Sequence, residues 1–283
     1  MEQQLEQIRE QQKASWNKFS PGWKKWDDLT MDFLKPMGEE IIKLLNLKDN
    51  DIVLDVAAGT GEPGLTIASR MNGQGKVIIT DLAEDMLEIA RENATHRGIK
   101  NIETVACDVC ELPFPDNTFD AISCRFGFMF FPDMQLAAHE MVRVLKPGGK
   151  IATSVWNIPE KNFWVTAIMG TINKNMVLPA PIPGAPGMFR CSGEGFMTNL
   201  FTQAGLKNVS QKEVMGKLNS QTTDTYWNMM TEIGAPIVAA LSSADEPTKA
   251  KIKQEVYALV NQKYPDGKVI IDSSALVVYG EKP

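Results

Sequence analysis

Residues 52–64 read Ile-Val-Leu-Asp-Val-Ala-Ala-Gly-Thr-Gly-Glu-Pro-Gly, an apolar run that turns sharply through glycines into the start of a helix. Few folds accommodate that sequence of events. Ile52–Val56 suits a strand covered on both faces. Gly59 and Gly61 let the backbone turn tightly and approach a ligand, and Pro63 suits a first helical turn. The free N–H groups and dipole of the helix that follows favour an anionic group. The chain then repeats the rhythm, with strands expected at 76–80, 102–106, 119–124 and 150–155 and helices near 63–71, 83–97 and 134–145. Strands alternating with amphipathic helices build a parallel sheet covered on both sides.

The flanks carry different signals. Residues 1–36 hold Trp16, Phe19, Trp23 and Trp26 around Ser20-Pro21-Gly22, a tripeptide expected to break any continuous helix. Residues 37–156 form the expected core. After Trp156 the prolines and glycines Pro179, Pro181, Pro183, Gly184, Pro186 and Gly187 exclude helix and central strand and suggest a lid. Segments 157–206 and 217–266 read as helical cap elements, whereas 207–216 and 267–283 contain closing strands near 207–215 and 269–279. The expected fold is therefore α/β and doubly wound (Rossmann-like), with a mainly parallel seven-stranded sheet, an antiparallel edge strand and a helical substrate cap.

Composition narrows the function classes. With 43% apolar and 23% charged residues in 283, the chain matches ordinary globular proteins. Its net charge of −6 offers phosphodiester backbones no broad attraction, so no nucleic-acid partner is expected. No run reaches the ~18 apolar residues that suggest a membrane span, and the polar opening MEQQLEQIREQQK does not resemble a targeting signal. Four cysteines without regular spacing suit free thiols in a reducing cytoplasm. Cys107-x-x-Cys110 lacks the second ligand pair of a zinc site, and no metal is expected. The histidines, His96 and His139, both sit on expected helices with no evident carboxylate partner, which gives no support to a nucleophilic triad.

Gly59-x-Gly61-x-x-Gly64 is also the spacing of a dinucleotide fingerprint, and Asp81 falls at the end of the next strand, where a carboxylate binds ribose. The turn alone does not choose between a dinucleotide and another nucleoside cofactor. Asp55, just before the glycines, would repel a pyrophosphate and tolerate a cationic ligand.

Further motifs extend the pattern. Asp55-Val-Ala-Ala-Gly59-Thr-Gly61, Thr80-Asp81-Leu82 with Met86, Ala106-Cys107-Asp108-Val109, Leu112-Pro113-Phe114 followed by Phe119-Asp120, and Arg143-Val-Leu-Lys-Pro147-Gly148-Gly149 occur in that order. On these five motifs the chain resembles the class I S-adenosylmethionine-dependent methyltransferases, and more closely their small-molecule branch around the ubiquinone/menaquinone-biosynthesis C-methyltransferases. The likeness is good across 37–156 and looser outside. It implies that S-adenosylmethionine is the cofactor, S-adenosylhomocysteine its product, and that the site includes Asp55, Ala57, Gly59, Thr60, Gly61, Asp81, Leu82, Met86, Asp108, Val109, Cys124, Arg125 and Phe126. By the same resemblance Asp81 holds both ribose hydroxyls, Leu82 and Met86 flank the adenine, Asp108 and the Val109 N–H read its edge, and the Ala57 and Cys124 carbonyls receive the methionyl ammonium. Two departures stand out. The family's first turn glycine is Ala57 here, which a negative φ would permit. The polar Leu-Arg-Asn run that follows Phe-Gly in the quinone enzymes is Phe128-Met129-Phe130-Phe131 here, which argues against quinone-type C-methylation.

Candidates for the acceptor side are Trp16, Trp23, Trp26, Trp156, Trp164, Phe189 and Trp227, aromatics outside the cofactor motifs, with Arg125 and Arg190 available to an anionic group. The expected function is methyl transfer to a small aromatic or amphiphilic acceptor by direct in-line displacement, with no catalytic base identifiable. An NAD-dependent oxidoreductase and a non-catalytic S-adenosylmethionine-binding protein are the alternatives. Acceptor identity, the methylated atom and the choice between monomer and homodimer are not encoded in any motif.

Overall fold

The structure, a computed structural model, describes residues 2–179 and 185–283. Its centre is one seven-stranded sheet. In chain order the strands are β1 (Ile52–Val56), β2 (Lys76–Asp81), β3 (Ile102–Ala106), β4 (Phe119–Arg125), β5 (Leu145–Trp156), β6 (Lys207–Gln221) and β7 (Val269–Glu281). They lie in the order β3-β2-β1-β4-β5-β7-β6. The first five are parallel. β7 runs antiparallel to both β5 and β6, so the antiparallel strand lies one place in from the edge and β6 forms the edge itself.

Helices α1 (Glu2–Lys25), α2 (Asp27–Leu45), α3 (Gly64–Arg70), α4 (Glu84–His96), α5 (Met134–Val144), α6 (Phe163–Asn175), α7 (Phe196–Gln203), α8 (Thr223–Ile233), α9 (Ala235–Ser242) and α10 (Glu246–Lys263) surround the sheet. Successive strand residues face opposite sides, and both sides of β1 are covered. Val53 joins Ile41, Leu65, Val77, Ile79 and Leu87 in one apolar layer. Leu54 and Val56 join Ile78, Ile122, Met141 and Ile151 in the other. Helix starts are fixed by side chains: Asp133 accepts from the Leu136 N–H at 2.9 Å and Asp245 from the Thr248 N–H at 2.9 Å. These contacts satisfy N–H groups that the helix cannot bond internally.

One expectation fails in the leader. α1 runs unbroken through Ser20-Pro21-Gly22. Pro21 has no N–H to give the preceding turn, but the Ser20 hydroxyl donates to the Asn17 carbonyl at 2.9 Å and supplies the missing donor. Gly22 allows contact: a Cβ there would stand 2.8 Å from the Glu232 carbonyl oxygen, so the glycine lets α1 press against α8. The expected division at 36/37 falls inside α2, and that at 216/217 falls inside β6.

Lys146–Gly149 forms an excursion within β5. Leu145 pairs with Phe119 and Lys150 with Ala121, and Gly148 takes a left-handed φ of 76°. In the expected lid, Pro181, Pro183 and Gly184 lie outside the described residues. Its far end is anchored by the Gly187 N–H, which donates to the Met129 carbonyl at 3.1 Å. Among the described residues no helix is long and apolar enough to cross a membrane.

Candidate active site

The sheet order reverses between β1 and β4, and a crevice opens at the carboxyl ends of the strands there. A cavity of about 220 Å³ occupies it. The glycine turn forms its floor. Gly59 has φ +56° and a Cβ built on it would meet nothing within 4 Å, so open space lies directly over the backbone. Gly61 serves packing instead, since its Cβ would come within 2.7 Å of Leu65, and it does not line the cavity.

Ala57 takes φ +52°. The negative φ that would make alanine free of strain is not adopted: the turn keeps the left-handed conformation that glycine adopts freely, although the residue has a Cβ. Phe126 is also left-handed, at φ +63°, a costly conformation for a bulky residue. Its N–H donates to the Ser154 carbonyl at 3.0 Å, and its ring stacks on Trp156 with centroids 4.2 Å apart.

Asp55 also differs from expectation. It is completely buried beneath the turn and does not line the cavity. One oxygen accepts from the Gly64 N–H at 2.7 Å and the other from the Ser123 hydroxyl at 2.6 Å. Burial pushes its carboxyl up to about 7 against the pull of these two bonds. Asp55 thus braces the turn from below rather than facing a ligand. Cys124 is likewise buried, its thiol pushed up to about 12 by burial, and its carbonyl accepts from the Thr153 hydroxyl at 2.6 Å.

Ala57, Gly59, Thr60, Asp81, Leu82, Met86, Asp108, Val109, Arg125 and Phe126 do line the cavity. Asp81 accepts from the Gly59 N–H and the Ala83 N–H, both at 2.9 Å, which aims its carboxylate across the ends of β1 and β2. Burial raises its pKa, opposed by these N–H groups. The Thr60 hydroxyl donates to Asp27 of α2 at 2.9 Å. Asp108 accepts from the Cys110 N–H at 2.9 Å through one oxygen. Its other oxygen lies 2.5 Å from Nε of Arg9 on α1, a partner that sequence reasoning missed.

A second wall is apolar. Of the acceptor-side candidates, Trp16, Trp23, Trp156 and Trp164 line it. Trp26, Phe189, Arg190 and Trp227 do not. The Trp26 indole N–H donates to Glu232 at 2.9 Å. Arg190 donates to the Phe131 carbonyl at 2.5 Å. Phe189 packs on the core, and Trp227 meets Tyr257 edge-on. The missed lining residues include Phe33, Met31, Met129, Met229 and Met230. Phe33 follows the helical spacing of Thr30, Leu34 and Met37, a signal of burial that does not reveal what is buried against it.

Arg125 ends β4 at the junction between this cavity and a polar cleft that also contains Lys35, Glu39, Arg70 and Arg97. Burial lowers the guanidinium pKa, and Glu62, Asp55 and Asp27 oppose the shift. Cys107 also lines the cavity, but burial, then Asp108 and Asp81, push its thiol up to about 12. It is no nucleophile at neutral pH. The four cysteines are free thiols.

A family model described as the ubiE/COQ5 methyltransferase family matches residues 27–168. A demethylmenaquinone methyltransferase from Listeria monocytogenes is 40% identical over 124 residues, covering 43% of this chain and 52% of the relative. A ubiquinone/menaquinone biosynthesis C-methyltransferase, UbiE, from Francisella tularensis subsp. novicida is 38% identical over 122 residues, covering 43% and 49%. The chain spans about half the length of these curated relatives. Among solved structures, the YcgJ protein from Bacillus subtilis superposes with a TM-score of 0.56 at 20% identity, covering 87% of this chain and 97% of that one, which establishes the shared fold.

Proposed function

Because the chain belongs to the ubiE/COQ5 methyltransferase family, we propose that this cavity holds S-adenosylmethionine and methylates a small aromatic or amphiphilic acceptor by direct in-line displacement. One observation carries the reading: the turn-and-carboxylate floor and the aromatic wall line a single cavity. Bound there, the cofactor supplies an electrophilic methyl group on a sulfonium. The chain's residues supply position. Asp81, its carboxylate held by two backbone N–H groups, takes the ribose hydroxyls through its remaining lone pairs. Leu82 and Met86 flank the adenine, and Asp108 with Val109 reads its edge. The opening over Gly59 gives the methionyl portion room against the backbone.

On the far side the tryptophans and methionines exclude water and orient the acceptor. Orientation of this kind is worth ~7–11 kcal/mol in well-placed reactions. A methyl transfer governed by alignment needs few acid–base groups, and the cavity is lined by few. Replacing Asp81 by Ala tests the assignment. Calorimetric titration should show S-adenosylhomocysteine binding weakened at least tenfold, about 1.4 kcal/mol; an unchanged dissociation constant removes Asp81 from the site.

A further inference from the structure

Arg125 is the one Lys, Arg or His among the described residues lining the cavity. Its single polar side-chain contact among those residues is with a thioether, Nη2 to Met31 Sδ at 3.2 Å. Glu62, Asp55 and Asp27 act on its charge through space but make their hydrogen bonds to other groups. Glu62 pairs with Arg97 and accepts from the Thr66 N–H, Asp55 accepts from Gly64 and Ser123, and Asp27 accepts from Thr60. A guanidinium is a planar fork of five N–H donors whose geometry fits a carboxylate through two parallel bonds. At the junction of the cavity and the polar cleft, and without such a partner, it has donors left for an anionic ligand.

The surroundings give the shape of that ligand. The residue after Arg125, Phe126, stacks on Trp156. Phe33 stacks on Trp156 at 5.7 Å and meets Trp164 edge-on at 5.2 Å. A rigid aromatic wall therefore adjoins the cation. The other charged groups lining the cavity are Glu62, Asp81 and Asp108, all acidic, and the last two belong to the proposed cofactor end.

We propose that the acceptor is a flat aromatic carboxylate, with Arg125 receiving its carboxylate while its ring lies against the wall built on Trp156. The inference rests on the methyl-transfer reading for its division of the cavity between cofactor and acceptor.

The probes are 2-naphthoate and its neutral counterpart 2-naphthamide. Each is titrated into the wild-type protein with and without saturating S-adenosylhomocysteine and followed by tryptophan fluorescence. Naphthoate should bind at least tenfold more tightly than the amide. Arg125→Gln should bring naphthoate down to the level of the amide while leaving amide binding unchanged, which also shows that the pocket is intact. Arg125→Lys should restore part of the preference. Equal affinities in the wild type, no detectable naphthoate binding, or a preference that survives Arg125→Gln would overturn the proposal. Arg125→Gln that weakens S-adenosylhomocysteine as much as naphthoate would place the guanidinium on the cofactor and overturn it as well. Failure of the wild type to bind S-adenosylhomocysteine would instead count against the methyl-transfer reading, a separate result.

Discussion

Ala57 holds a left-handed backbone, φ +52°, in the turn beneath the proposed methionyl portion. An alanine in that region costs roughly 1–2 kcal/mol relative to a right-handed conformation, whereas a glycine loses about 0.4–1 kcal/mol through its freer unfolded state. Ala57→Gly should therefore raise stability by up to about 1.6 kcal/mol, measured as a higher denaturant midpoint at unchanged slope; a lower midpoint would contradict the strain. Asp55 gives a pH signature. Its carboxyl ionises near 3.8 ordinarily and at about 7 in the fold, so between those values the folded protein binds more protons than the unfolded chain. Its contribution is fully present below about pH 4 and declines as pH rises through about 7. Asp55→Asn keeps an acceptor for the Gly64 N–H and adds a donor toward Ser123. The variant should lose less stability than Asp55→Ala, and its stability should fall less than that of the wild type between pH 5 and pH 7.5. An identical fall in both would contradict the buried titration. At this scale the sequence identifies which residues surround the turn but not which way they face. Asp55 is the penultimate residue of β1 and Asp81 the last of β2, yet only Asp81 reaches the cavity, because the alternation of the strand and the helix packed below decide the direction.

α1 and α2 show what element-level reading captures and misses. The parallel strands are legible because β-branched apolar runs and glycine turns are local signals, and β1 and β3 have the limits their residues suggest. Proline and glycine are equally local signals, and in α1 they mislead. The Ser20 hydroxyl repairs the hydrogen bond lost at Pro21, and the lack of a side chain at Gly22 is explained by a carbonyl more than two hundred residues further along the chain. Gly22→Ala tests this contact. Its Cβ would press on the Glu232 carbonyl, costing about 1–3 kcal/mol if the helices cannot separate without loss. The variant should unfold at lower denaturant concentration and be cleaved sooner within α1 by trypsin. Unchanged stability and cleavage would mean that α1 does not depend on this close approach.

Across the whole molecule, a doubly wound sheet supplies the floor of the cavity and elements far apart in sequence complete its walls. Gln12, Trp16 and Trp23 come from α1, Met31 and Phe33 from α2, Trp164 from α6, and Met229 and Met230 from α8. This explains why the floor is readable from motifs and the walls are not. A motif records backbone requirements over a dozen residues, whereas a wall depends on how separate helices meet. Of the anticipated aromatics, Trp156 and Trp164 reach the cavity while Trp26 and Trp227 are drawn into helix contacts. The acidic balance, −6 overall, gives no general attraction for a polyanion, and the cation in the cavity is confined to one strand end. The glycine spacing by itself also fits a dinucleotide, so cofactor choice bears most directly on the account. Calorimetric titration of the purified chain with S-adenosylhomocysteine and, in parallel, NADH decides it. The account predicts saturable one-to-one binding of S-adenosylhomocysteine and none of NADH; binding of NADH alone would contradict it.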